Sequence, residues 1–101
     1  MIARIWRGRV PAVKADAYLE YLLATGLKDY AATPGNRGVR TLRRVEGEVA
    51  EYLTLTFWDS MDAVRGFAGD DVERAIYYPE DDAFLLEKQP RVEHFEIVYE
   101  E

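Results

Sequence analysis

Apolar and polar residues alternate from Ile2 to Arg9, with Ile2, Arg4 and Trp6 in one phase and Ala3, Ile5 and Arg7 in the other. A period of two predicts a strand, and Val10-Pro11 ends it because proline has no N–H to give a ladder. From about Val13 the spacing becomes helical. Ala15, Tyr18 or Leu19, Leu22 and Leu23 recur at three and four residues, opposite Lys14, Asp16 and Glu20. Gly26 can interrupt or cap this helix, and Thr33-Pro34-Gly35-Asn36 stops it. Arg37–Val45 and Glu51–Trp58 follow as two strands joined at Glu46-Gly47-Glu48, which predicts a hairpin. Leu53, Leu55 and Phe57 share one face of the second strand; Tyr52, Thr54, Thr56 and Trp58 share the other. Asp59-Ser60 supplies a helix cap, and Met61, Val64 and Phe67 line a short helix that breaks at Gly69. Another turn or two is expected over Val72–Tyr78, and a short helix or irregular segment over Asp82–Lys88. A last strand is expected over Val92–Tyr99.

The predicted order is β-α-β-β-α-β with the second helix broken. Two βαβ halves joined by a hairpin give a ferredoxin-like α+β fold, an antiparallel sheet with helices on one face. At 101 residues, 49 % of them hydrophobic, the chain accommodates one domain spanning 1–101 and one core. Helices on one face leave the other uncovered, and Trp6, Tyr52, Trp58 or their alternates there are too apolar to stay wet. A second copy is the simplest cover, so the pattern predicts a homodimer.

Charge and composition narrow the partners. The net charge of −6 argues against nucleic acid, whose phosphates need a basic face. Residues 1–50 carry 9 Lys/Arg against 5 Asp/Glu, and residues 51–101 carry 4 against 14, so the halves can complement each other within the fold or across a dimer. No apolar run approaches the ~18 residues needed to span a bilayer, and the alternating N-terminus does not support a cleaved signal peptide. The chain has no cysteine, which removes disulfides, thiol nucleophiles and sulfur-ligated metals and fits a cytoplasmic protein.

Ala3-Arg4-Ile5-Trp6-Arg7-Gly8, Pro34-Gly35-Asn36-Arg37-Gly38 and above all Phe57-Trp58-Asp59-Ser60-Met61-Asp62-Ala63-Val64-Arg65-Gly66-Phe67 resemble the antibiotic biosynthesis monooxygenase-like family of dimeric α+β barrel proteins. Phe67-Ala68-Gly69-Asp70-Asp71, Tyr77-Tyr78-Pro79-Glu80-Asp81 and Val92-Glu93-His94-Phe95 resemble one branch of it. The resemblance implies a pocket between helices and sheet and a dimer that closes two sheets into a barrel. Its monooxygenases need no metal or flavin, because the deprotonated substrate itself reduces oxygen; this implies no cofactor here. Other members degrade haem with an Asn, a Trp and a His ligand. Those positions fall on or beside Arg7, Phe67 and Tyr77, and all three differ, which argues against haem degradation in this chain.

Within that frame the expected partner is a small aromatic or polyketide-like molecule. His94, the one histidine, is the candidate base, or else a histidine bonded locally at the sheet or dimer interface. Tyr77 and Arg7 complete the candidate catalytic set as a phenol donor and an oxyanion clamp. Trp6, Trp58, Phe67, Tyr78 and Arg40 are candidate substrate contacts, against the common fate of strand tryptophans as packing and of arginines as exposed side chains. Asp70-Asp71 and Glu80-Asp81-Asp82 suit helix starts better than catalysis and lack calcium-loop spacing. A second outcome of the same fold is a protein that binds a small ligand without turnover.

Overall fold

A computed structural model describes Met1–Glu101. Strand β1 (Ile2–Pro11) leads through a 3₁₀ turn (Ala12–Lys14) into helices α1 (Ala15–Ala24) and α2 (Gly26–Ala32). Strands β2 (Asn36–Glu46) and β3 (Val49–Trp58) form the hairpin, α3 covers Met61–Ala68, and β4 covers Glu93–Glu96. The sheet order is β2-β3-β1-β4 with every neighbouring pair antiparallel, which is the ferredoxin-like α+β arrangement. No helix is long and apolar enough to cross a membrane.

Local chemistry accounts for the elements. Gly47 turns the hairpin at φ +59, in the left-handed region that glycine enters without strain. Ser60 caps α3, its Oγ accepting from the Ala63 N–H at 3.2 Å. Its neighbour Asp59 does other work, holding Arg37 through two bonds of 2.6 and 2.9 Å. The first helical stretch breaks at Thr25, whose hydroxyl donates back to the Tyr21 carbonyl, and resumes at Gly26.

Asp82–Lys88 takes the irregular form of the two expected, apart from the end of a 3₁₀ turn over Pro79–Ala83. Two expectations need correction. Val72–Tyr78 forms no helix: Glu73 and Ala75 instead make backbone bonds to Val92 and Pro90. The last strand is four residues long because Glu96 already lies opposite Ile2, where β1 begins; beyond it, Ile97 bonds only to the Met1 carbonyl.

The choice left open between the tryptophans and their alternates is decided by the sheet. The helices cover Ile2, Arg4, Trp6, Gly8 and Val10 of β1 and Ala50, Tyr52, Thr54, Thr56 and Trp58 of β3, so Trp6, Tyr52 and Trp58 are buried beneath them. Their alternates, Ile5, Leu53, Leu55 and Phe57, occupy the uncovered face with Leu42 and Phe95, the last two 43 % and 54 % exposed.

Beneath the helices the core divides in two. Trp6, Val10, Tyr18, Leu22 and Tyr52 form one apolar cluster under α1; Tyr30, Trp58, Val64 and Ala68 form another under α3. Arg4, Thr54 and Thr56 lie between them, buried polar residues at the centre of the sheet. A polar seam through a core is costly unless something uses it.

Candidate functional site

The seam is organised by Arg4. Strand alternation places it in phase with Ile2 and Trp6, so its guanidinium points under the helices and is 1 % exposed. Nη1 donates to the Tyr30 hydroxyl of α2 at 3.3 Å, and Nη2 donates to the Arg74 carbonyl at 3.2 Å. Phe67 of α3 covers the guanidinium, its ring centre 5.4 Å from Cζ. Nε has no partner, and none of the protein's ion pairs includes Arg4. Burial lowers its pKa, partly offset by Tyr30. A guanidinium starts so far above neutrality that it stays charged.

His94 of β4 is the cross-strand partner of Arg4 and sits on the same face. Its Nε2 is buried without a hydrogen bond. Burial first, then the charge of Arg4, pulls its pKa down against a weaker opposing pull from Glu73, so the imidazole is neutral at pH 7.

Beyond Tyr30 the space under α1 narrows to a cavity of about 20 Å³ lined by Trp6, Tyr18, Tyr30, Thr54, Tyr78 and Asp81 among others. That is room for one water. Asp81 is 4 % exposed and accepts from the Tyr18 hydroxyl at 3.3 Å and from the Tyr78 N–H at 2.7 Å. Burial raises its pKa, although both hydrogen bonds oppose this. The same burial, with Asp81 nearby, pushes the Tyr18 phenol far up. Thr54 Oγ1 is buried and unpartnered. Asp81 and Tyr30 thus line one aromatic cavity, and the buried guanidinium of Arg4 is tied to it through the Tyr30 hydroxyl.

The predicted site residues separate by face. His94, Trp6, Trp58 and Phe67 all lie on the helix side. Trp58 is fully buried, donates its indole N–H to Thr56 and packs on Tyr30 and Phe67, so it supports the pocket from behind. Tyr77 packs edge-on against Trp6, and its hydroxyl donates to the Gln89 carbonyl. Tyr78 lines the cavity and donates to Asp29 at the surface. Arg7 and Arg40 lie on the other sheet face. Arg7 pairs with Glu93 at 3.5 Å, and Arg40 borders an open concavity of about 590 Å³ with Met1, Phe57 and Tyr99. That concavity is the larger, but the buried polar groups converge on the helix side.

Arg4, Tyr30 and Thr54 are not among the residues predicted for the site, and Asp81, expected as a helix-start carboxylate, does cap the Pro79–Ala83 turn through the Tyr78 N–H but is buried at the cavity as well. Arg4 carried a signal, since a charge in phase with Ile2 and Trp6 belongs to the buried face. Asp81 carried none, because it sits in the run Glu80-Asp81-Asp82 and its burial depends on Tyr18 and Tyr78.

No protein-family model matches the chain, and no curated protein matches it. Solved structures do. A putative antibiotic biosynthesis monooxygenase from Bacillus cereus aligns with TM-score 0.65 at 13 % identity, covering 99 % of this chain and 95 % of its own. The haem degrader MhuD from Mycobacterium tuberculosis, with two haems bound in its active site, aligns with TM-score 0.61 at 22 % identity, covering 99 % and 98 %. A point mutant of MhuD with two manganese protoporphyrin IX molecules per active site aligns with TM-score 0.62 at 23 % identity, covering 99 % and 97 %. At these identities the likeness is one of fold, the same fold to which the sequence motifs pointed. Tyr77, on or beside the position where the resemblance implies a haem ligand, has its hydroxyl engaged by the Gln89 carbonyl.

Proposed function

We propose that the protein is a cofactor-independent monooxygenase that acts on a small aromatic or polyketide-like molecule between helices and sheet. The observation that carries this reading is the cluster of buried polar groups on the helix side of the sheet: Arg4, paired with His94 and bonded to Tyr30, beside an aromatic-walled cavity that Tyr30, Thr54 and Asp81 line. Such chemistry asks for a proton acceptor, donors for a developing oxyanion, and exclusion of water. His94, neutral and unbonded at Nε2, takes the proton from an activated CH₂ or phenol. Arg4 and Tyr30 stabilise the resulting oxyanion. The electron-rich anion then reduces O₂; a CH₂ becomes C=O and the second oxygen atom leaves as water, which balances without an added reductant. Trp6, Tyr77 and Tyr78 wall the substrate.

The protein works as a homodimer in this reading, with the uncovered faces of two sheets meeting through Ile5, Leu53, Leu55 and Phe57. A cytoplasmic setting rests on the cysteine-free composition alone. The test is oxygen uptake by the purified protein with a panel of anthrones and quinols, alongside haem. Uptake with one oxidisable class, lost in His94→Ala while binding persists, is the expected result. No uptake with any of them overturns the reading.

One observation favours a second reading. A cavity of about 20 Å³, lined mostly by apolar side chains and largely filled as it stands, suits a protein that binds a ligand without turning it over. Binding of a panel member with no oxygen uptake selects it.

A further inference from the structure

We infer that Arg4 holds the ligand by an anionic group, the carboxylate of a flat molecule, which enters past Phe67. The inference deepens the proposed function by naming the ligand's charge, and it rests on the same site. Three of the protein's few unpartnered buried polar atoms, Arg4 Nε, His94 Nε2 and Thr54 Oγ1, lie on this one face of the sheet. Arg4 pairs directly with Thr56 and His94, and Thr54 is two residues from Thr56 on the same strand face. A buried guanidinium without a carboxylate is an unsatisfied charge in a region of low dielectric. Its two engaged nitrogens bond to a hydroxyl and a carbonyl, neither of which neutralises it. Its uncommitted N–H groups present the fork that matches the two oxygens of a carboxylate.

Phe67 places the entrance. The ring lies over the guanidinium and also lines a surface groove between α2 and α3, with Thr33, Gly66, Ile76 and Tyr78. The groove's one carboxylate, Asp29, is engaged by the Tyr78 hydroxyl. Phe67 is only half-buried, and its rotation outward would uncover Arg4. Asp81 lines the cavity beside Tyr30 and disfavours a second negative charge there, so the ligand's anionic group belongs at Arg4.

The test compares 2-naphthoate with its neutral relative 2-naphthamide by thermal shift and titration of the full-length protein. Naphthoate is expected to bind at least tenfold more tightly, and Arg4→Met to abolish that preference. Phe67→Ala is expected to raise the association rate several-fold. Equal binding of acid and amide overturns the inference on wild-type protein alone, whether or not Arg4→Met folds. Unchanged preference in Arg4→Met overturns the assignment to Arg4, and an unchanged rate in Phe67→Ala overturns the route. Oxygen uptake plays no part in this readout. Absence of turnover therefore leaves the anion site standing, whereas equal binding of acid and amide removes the anion site and leaves the oxygenase reading untouched.

Discussion

Trp6 lies over Gly8, two residues along the same strand face, so closely that a methyl group on Gly8 would sit 2.3 Å from the indole ring. The glycine is there because the tryptophan occupies its side-chain space. Gly8→Ala must push Trp6 toward the cavity it lines, and overpacking of this kind costs about 1–3 kcal/mol. A urea melt should show the loss, and the emission of Trp6, with Trp58 replaced by Phe, should shift. An unchanged melt would falsify the close fit.

The His94 imidazole has its pKa lowered by burial and by Arg4, so the native state binds fewer protons than the unfolded chain below about pH 6.5. Stability contributed this way is complete above the unfolded value and is lost as pH falls from about 6.5 toward the lower native pKa. His94→Gln should flatten that stretch of the stability curve. Parallel curves for the two proteins between pH 7 and 5 would place the histidine in a solvent-like setting.

Asp81 has the opposite sign. Burial raises its pKa above the usual carboxylate value, so the native state holds the proton more firmly, and stability is lost as pH rises through that window. Asp81→Asn keeps one acceptor oxygen, for the Tyr78 N–H, and turns an amide N–H toward the Tyr18 hydroxyl, which can rotate to accept it. Relative to wild type it should be more stable at pH 7 than at pH 4, measured by thermal melts at both. A difference that runs the other way would mean that the ionised carboxylate stabilises its surroundings.

On the uncovered sheet face, Leu55 is flanked by Ile5 and Arg40 on the neighbouring strands. Leu55→Glu should convert a species of twice the 11.6 kDa chain mass into one of single mass in light scattering, with far-UV circular dichroism preserved. A wild-type protein that is already of single mass at micromolar concentration rules out sheet-to-sheet pairing.

The parts of the fold legible in the sequence are those fixed by neighbours in the chain. The hairpin is local: alternation on both sides of Glu46-Gly47-Glu48 sets two strands, and the register follows from the turn. Ser60 and the spacing of α3 are local as well. Residues 69–92 are held by distant partners, among them the Leu86 N–H on the Arg9 carbonyl and the Val92 N–H on the Glu73 carbonyl, and no periodicity announces such bonds. The site follows the same rule. Alternation in β1 already set Arg4 on the face of Trp6 and Arg7 on the other, so choosing Arg7 as the clamp set aside information the strand contained. Asp81 and Tyr30 are brought to the site by the crossing segment and by the helix break at Thr25, which only the folded chain reveals.

The brevity of β4 has a consequence for how this protein can change. Only Ile2–Ile5 of β1 are paired on their outer edge by a strand; further along, the crossing segment fastens to that edge through a single backbone bond at Arg9. The β2-β3-β1 ladders are formed without it, while Ile76, Tyr78 and Asp81, which line the cavity, all belong to it. Substitutions at these lining positions can therefore remodel what the protein accepts while leaving every backbone bond of those three strands in place. Ladder and selectivity are separately heritable in this chain.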